Sequence, residues 1–198
     1  MMSPLLRTLS LCLIAGLSLL LSACAHQPVR SVYTNSSLPE YWEAEGKAAI
    51  RSEEHGGNIY FTWTQQGPDY HIIVRGPLGL GRAELNGTPG QVTLVADNIP
   101  EVSAGSLEEL LEATTHHHAP ISHALHWLKA EPGGSAAEVT RGPDGKLTQI
   151  KEDGWTINYL EWSEEAPMLP RKLTLAGPEG QATVVIGLWR LHLSAENP

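Results

Sequence analysis

Four consecutive residues near the N-terminus carry the clearest chemistry in the chain, Leu21-Ser22-Ala23-Cys24. A cysteine directly after Leu-Ser-Ala is typical of a bacterial lipobox, whose thiol accepts a diacylglycerol as a thioether before cleavage frees the Cys24 amine. The preceding segment has one basic residue, Arg7, and an apolar run from Leu9 to Leu20, as secretory signal peptides do. This run is shorter than the ~20 residues of a membrane-spanning helix. We therefore predict that residues 1–23 are a cleaved signal peptide and that Cys24 is lipidated.

The rest of the chain divides into a polar segment and one domain. Residues 24–39 contain two prolines and no hydrophobic periodicity, so we interpret them as the lipidated N-terminus and a flexible tether. Residues 40–198 are enough for a single domain. Ala25 follows the lipidated cysteine where an inner-membrane retention signal would have Asp. We therefore expect an outer-membrane location, anchored by lipid and facing the periplasm.

Composition and motifs argue against several classes of function. The formal charge of −9 and the pI near 5.4 argue against nucleic-acid binding. The sequence has no Gly-x-Ser-x-Gly elbow, no phosphate-binding loop and no free thiol once Cys24 is acylated. We predict a protein that is not an enzyme and has no cofactor.

Histidines form the one cluster that could bind a metal. His116, His117 and His118 are consecutive, and His123 and His126 are three residues apart. Three or four imidazole nitrogens could hold zinc. The alternative is a polar linker followed by a solvent-facing helix side, since no cysteine or well-spaced carboxylate completes a site. We predict no physiological metal, and a metal-dependent enzyme remains the alternative.

The elements that carry these residues are mostly strands. Apolar and polar residues alternate in short runs separated by turn signals such as Gln66-Gly67-Pro68-Asp69 and Asp153-Gly154. The middle of the chain changes to helical spacing, with a capping box at Ser106-Leu107-Glu108-Glu109 and a second short helix from Ile121 to Leu128. The pattern predicts a mainly β fold with a small helical part. We expect a curved antiparallel sheet of about ten strands, a half-barrel capped by helices.

One loop between predicted strands is unusually apolar. It reads Arg75-Gly76-Pro77-Leu78-Gly79-Leu80-Gly81-Arg82, and no regular strand buries Leu78. Such a leucine could fold back onto its own hairpin, or it could insert into lipid with Pro77 and Gly79 shaping the loop. In the second case Arg75 and Arg82 could meet lipid phosphates.

At this loop the chain resembles the LolB family of outer-membrane lipoprotein receptors. The resembling segments occur in the family's order: 46–50, 60–63, 76–79, 83–85, 126–128, 154–159 and 169–173. The resemblance implies an apolar cavity within the half-barrel, which accepts acyl chains of lipoprotein cargo from the periplasmic carrier LolA and delivers them to outer-membrane lipid. It also implies that Leu78 occupies the place of a protruding leucine that assists membrane insertion.

Strand alternation indicates which residues would line such a cavity. The candidates are all apolar: Trp127, Trp155, Phe61, Trp63, Ile72, Val74, Leu94 and Ile157. For each of them, ordinary core packing is the alternative. We expect a monomeric receptor, and a structural envelope lipoprotein without lipid transfer is the competing hypothesis.

Overall fold

The computed structural model describes residues 41–52, 56–79, 81–97, 99–115, 120–166, 168–178 and 180–192. The predicted mainly β antiparallel fold is confirmed, with eleven strands in place of about ten. The strands are β1 Tyr41–Arg51, β2 Gly56–Gln66, β3 Asp69–Arg75, β4 Arg82–Thr88, β5 Gln91–Ala96, β6 Ile99–Ala104, β7 Glu138–Arg141, β8 Leu147–Glu152, β9 Trp155–Trp162, β10 Pro170–Gly177 and β11 Gly180–His192.

All eleven strands belong to one open sheet in the order β6-β5-β4-β3-β2-β1-β11-β10-β9-β8-β7. Strands β1 to β6 form one meander and β7 to β11 form another, and each strand is antiparallel to its neighbours. The first and last strands pair in the centre, from Tyr41 opposite His192 to Arg51 opposite Gln181. The two edges of the sheet are therefore β6 and β7, which are consecutive in the chain.

Side chains alternate between an inner face, which carries the helices, and an outer face. One inner row crosses five strands and is entirely apolar: Ala44, Trp63, Ile72, Leu85 and Leu94. The neighbouring outer row is mixed: Glu45, Thr62, Ile73, Glu84 and Val95. The period-2 pattern read from the sequence thus separates an apolar side of the sheet from a polar side.

Three tryptophans form the centre of the main core. The ring centroids of Trp42 and Trp63 are 4.8 Å apart, and those of Trp42 and Trp189 are 5.6 Å apart. The indole nitrogen of Trp189 donates to the Pro170 carbonyl at 2.9 Å. All three side chains are buried, and they join the inner faces of β1, β2 and β11.

Two helices lie in the connection between the sheet edges, and both were predicted. Helix α1 spans Leu107–Thr115, and helix α2 spans Ile121–Trp127. The Ser106 hydroxyl accepts a hydrogen bond from the Glu109 amide at 3.1 Å, which confirms the capping box. The Glu109 carboxylate accepts from the Gly105 amide at 2.9 Å. Among the described residues, no helix is long and apolar enough to cross a membrane.

Each helix packs against a different end of the sheet. Leu107 and Leu110 of α1 are buried with Val92 of β5. Trp127, at the end of α2, is buried in the main core, where its carbonyl accepts a hydrogen bond from the Tyr159 hydroxyl at 2.8 Å. Burial raises the pKa of Tyr159, so its hydroxyl remains a donor at neutral pH.

We predict that Trp42→Ala destabilises the domain by roughly 3–5 kcal/mol, because it leaves a cavity beside two other indole rings. Urea denaturation followed by tryptophan fluorescence and circular dichroism measures this loss. Leu160→Ala is the control, since Leu160 is 52% exposed and its truncation is expected to cost under about 0.5 kcal/mol. Equal losses in the two variants would contradict the central role of Trp42.

Candidate functional site

The loop from residue 76 to residue 81 (the Leu78 loop) presents an apolar side chain to solvent. Leu78 is 96% exposed, and Pro77 and Gly79 are exposed with it. The loop is closed by a hydrogen bond from the Gly76 amide to the Gly81 carbonyl at 3.1 Å. The alternative in which Leu78 folds back onto its own hairpin is wrong, because the side chain contacts almost nothing.

The backbone conformation of the loop keeps the Leu78 side chain exposed. Leu78 has φ 57° and ψ 20°, in the left-handed region that is unfavourable for a leucine by about 1–2 kcal/mol. The Gly79 amide donates to the Gly76 carbonyl at 3.2 Å, and Gly79 and Gly81 also have positive φ. The glycines therefore allow a tight loop whose only large side chain in the described part points outward.

The eight predicted cavity residues divide into two groups by burial. Trp63, Trp127 and Ile157 are almost completely buried in the main core. The others are half-buried: Phe61, Ile72, Val74, Leu94 and Trp155. The seven residues on strands all lie on inner-face positions, as strand alternation predicted. Their role as a cavity lining stays a prediction.

Four of the half-buried residues are neighbours on β2, β3 and β5. Phe61 is opposite Val74, and Ile72 is opposite Leu85, which is in turn opposite Leu94. A Cβ at Gly46 would lie 2.6 Å from the Phe61 ring, so only glycine leaves room for that ring. The side chains of this patch are all apolar and half-buried.

The fifth half-buried residue, Trp155, lies on the inner face of β9, apart from the patch on β2, β3 and β5. Its ring centroid is 6.1 Å from that of Trp127. A Cβ at Gly177 would lie 2.3 Å from the Trp155 ring, so this glycine makes space for the indole. Two of the predicted cavity residues, Trp127 and Trp155, therefore pack together between α2 and β9.

A buried carboxylate, which the sequence interpretation missed, holds α2 to the β8–β9 hairpin. Glu152 is only 6% exposed, and its Oε2 accepts hydrogen bonds from the Trp127 indole at 2.7 Å and the Gly133 amide at 2.9 Å. Burial acts to raise the pKa of Glu152, but the hydrogen bonds from Trp127, Gly133 and Gly134 and the charge of His123 outweigh it and lower the pKa. Strand alternation from Ile150 puts position 152 on the inner face, which was the available signal.

Of the five histidines considered as metal ligands, His123 and His126 lie among the described residues. His116, His117 and His118 lie outside the described residues, as does Cys24. His123 Nδ1 is 2.9 Å from Asp153 Oδ2 and 3.8 Å from Glu152 Oε1, whereas His126 faces Glu131. Donor atoms of His123, Glu152 and Asp153 thus lie within 4.8 Å of one another. Because Glu152 already accepts hydrogen bonds from Trp127 and Gly133, the group acts as a structural link in this arrangement.

The sequence matches one protein family over most of its length. The family described as "Outer membrane lipoprotein LolB" matches residues 40–189. The chain is 31% identical over 194 residues to "Outer-membrane lipoprotein LolB" of Pseudomonas putida strain W619, covering 90% of this chain and 95% of that protein. It is 32% identical over 192 residues to the protein of the same name in Alkalilimnicola ehrlichii, covering 90% and 96%.

One solved structure with little sequence similarity has a related architecture. A DUF1329 family protein from Desulfovibrio piger superposes with a TM-score of 0.50 at 7% identity, covering 80% of this chain and 88% of that one. A LolA superfamily protein from Nitrosomonas europaea gives a TM-score of 0.49 at 7% identity, covering 77% and 86%. At this identity the first match shows a shared architecture only.

We predict that Glu152→Gln destabilises the domain at about pH 7 by roughly 2–3 kcal/mol, because it removes a charge that accepts hydrogen bonds in the core. A carboxylate with a lowered pKa stabilises the fold above its unfolded pKa of roughly 4.3, and this stabilisation is lost as pH falls through the folded pKa. The difference between wild type and variant should therefore shrink as the pH falls below the unfolded pKa.

Urea denaturation across this pH range measures the effect. The control is Glu161→Gln, because Glu161 is half exposed and its ion pairs within the described residues are with surface Arg171 and Lys172. If Glu152→Gln lowered the free energy of unfolding by the same amount at every pH, this result would contradict an ionised Glu152.

Proposed function

Because the chain belongs to the LolB family of outer-membrane lipoproteins, we propose that it is a receptor that accepts lipoproteins from a LolA-type periplasmic carrier and inserts them into the outer membrane. In this proposal Cys24 anchors the chain by lipid, and the domain faces the periplasm. The cargo is recognised by its acyl chains. Transfer requires no bond-making, which agrees with an inner face that carries no catalytic constellation in the described residues.

The half-buried inner patch supports acyl-chain binding. Each square ångström of hydrocarbon that leaves water is worth about 25 cal/mol. The patch of Phe61, Ile72, Val74 and Leu94 lies on adjacent or nearby strands and offers only apolar contacts. An acyl chain on this patch would replace water at surfaces that the helices leave partly uncovered.

The single observation that carries the proposal of membrane delivery is the 96% exposure of Leu78. A soluble domain gains nothing from holding a leucine outward in an unfavourable backbone conformation. Burial of that side chain in lipid would contribute about 1.5–3 kcal/mol. The Leu78 loop would therefore bring the ends of β3 and β4 to the membrane, where acyl chains can leave the adjoining inner face.

A reconstituted transfer assay tests this function. The mature chain carrying Cys24→Ala is mixed with carrier that is loaded with a lipoprotein, and movement of the cargo is followed by separating the two proteins. Transfer to wild type supports a receptor. Absence of transfer under conditions in which another LolB protein works would contradict the proposal and favour a structural envelope lipoprotein.

We predict that Leu78→Glu accepts cargo like wild type and delivers it to vesicles at least about tenfold more slowly, because the variant cannot insert its loop into lipid. Cargo recovered with sedimented vesicles measures delivery. Leu160→Glu is the matched control, since it changes an exposed leucine on the outer face of β9. Unchanged delivery by Leu78→Glu would contradict an insertion role.

We predict that Val74→Asp weakens binding of a fluorescent fatty acid by about tenfold or more, because an unpaired carboxylate in the patch must be desolvated or neutralised. Ile73→Asp is the matched control, because Ile73 is the adjacent half-buried residue on the outer face of β3. Thermal denaturation of both variants separates lost binding from lost folding. Equal weakening in two folded variants would contradict an inner-face site.

A further inference from the structure

A row of basic and aromatic side chains crosses the outer face beside the Leu78 loop. Lys47 of β1 is opposite Tyr60 of β2, Tyr60 is opposite Arg75 of β3, and Arg75 is opposite Arg82 of β4. These positions alternate with Gly46, Phe61 and Val74 of the inner face. The four outer side chains therefore form one line that ends at the two residues flanking the loop.

Two cations of this row have no acidic partner within the described residues. Arg82 pairs with Glu84 at 2.6 Å, but neither Lys47 nor Arg75 has a carboxylate within ion-pair distance in the described part of the chain. Glu45, the nearest acidic residue on β1, is instead engaged by Arg190 at 2.6 Å. In a chain of formal charge −9, this leaves a local positive site.

The side chains of the row converge on one depression. Lys47, Tyr60 and Arg75 line a shallow groove of about 500 Å³ together with Thr62, Val185 and Glu45, whose carboxylate is paired with Arg190. Tyr60 is 52% exposed. A lysine, an arginine fork and two hydroxyl groups around one groove suit a phosphate group. An exposed tyrosine is also a side chain that favours the headgroup level of a membrane.

The groove lies close to the residue that is proposed to insert into lipid. Leu78 follows Arg75 by three residues, so their Cα atoms lie within about 11 Å of each other. Lipid headgroups would therefore surround the row when Leu78 enters the hydrocarbon. Charge complementarity and this proximity favour a phospholipid surface over a soluble anion.

We propose that Lys47, Tyr60 and Arg75 bind the phosphate headgroups of anionic phospholipids and thereby orient the outer face of β1–β3 against the membrane. This inference rests on the proposed membrane delivery by the Leu78 loop. One apolar side chain binds a bilayer only marginally, whereas an apolar insertion combined with basic residues binds stably. Arg82 contributes less, because Glu84 neutralises it.

Vesicle sedimentation tests the proposal with the mature chain carrying Cys24→Ala, so that the lipid anchor does not mask binding. We expect tighter binding to vesicles of phosphatidylethanolamine and phosphatidylglycerol than to phosphatidylcholine vesicles, with a loss at high salt. Lys47→Gln/Arg75→Gln should reduce binding to the anionic vesicles about tenfold or more and leave cargo acceptance from the carrier unchanged.

The control is Arg141→Gln/Lys151→Gln, which removes the same charge from exposed positions on β7 and β8. Equal losses in both double variants would overturn the proposal in favour of a general effect of net charge. Undiminished binding of Lys47→Gln/Arg75→Gln would overturn it directly. Competition by inorganic phosphate at low concentration would indicate a site for a soluble anion instead.

Cargo acceptance separates this inference from the proposed function. If the wild-type chain fails to accept cargo from the carrier, the receptor proposal fails whatever the vesicles show. If cargo is accepted and delivered equally by wild type and by Lys47→Gln/Arg75→Gln, the receptor stands and the headgroup site is overturned. A defect in delivery alone, with acceptance intact, supports both.

Discussion

The antiparallel pairing of β1 with β11 is the constraint on which the rest of the domain depends. It joins two meanders into one sheet and places the strands that are consecutive in the chain, β6 and β7, at opposite edges. The segment between them has to pass from one edge to the other. It carries both helices and packs on the inner face, with Leu110 against Val92 and Trp127 against Tyr159. Topology thus requires a connection between the two edges, and in this domain the helices of that connection cover the apolar side.

The cover does not bury the inner face evenly. Ile150, Ile157 and Leu173, on β8 to β10, have no exposed surface. Ile72 and Val74 of β3 remain half-buried although they occupy equivalent inward positions. The Glu152 carboxylate fixes the end of α2 over β8 and β9 through Trp127 and Gly133. Glu152 thus keeps α2 over β8 and β9, whereas apolar surface on β3 stays accessible. The proposed cargo site lies on that accessible side of the inner face.

Sequence patterns predicted the elements better than they predicted burial. Period-2 alternation assigned the inward residues correctly because it reflects backbone geometry, which a single strand determines by itself. Strand β6 was not identified, since Pro100 interrupts its pattern, and its edge position explains why proline is tolerated there. Whether Trp63 or Phe61 is the more buried depends on contacts with β11 and the helices, which local sequence does not encode.

Polar sites built from segments that are distant in sequence were the least predictable feature. Glu152 looks like a surface residue at the end of a strand, and only the arrival of Trp127 and Gly133 from a distant segment makes a buried carboxylate favourable. Lys47, Tyr60 and Arg75 are far apart in sequence and become one row through strand register. Such sites form only when distant segments pair or pack, so the sequence of a single segment does not predict them.

Strand alternation also explains how one region can serve both cargo and membrane. On β2 and β3 the inward residues Phe61 and Val74 belong to the proposed acyl patch, and the outward residues Tyr60 and Arg75 belong to the proposed headgroup site. The Leu78 loop begins directly after Arg75, at the end of the same two-stranded unit. An acyl chain that leaves the patch past this end meets lipid already held by the outer face. Binding and delivery then use the two faces of the same strands, next to the loop that joins β3 to β4.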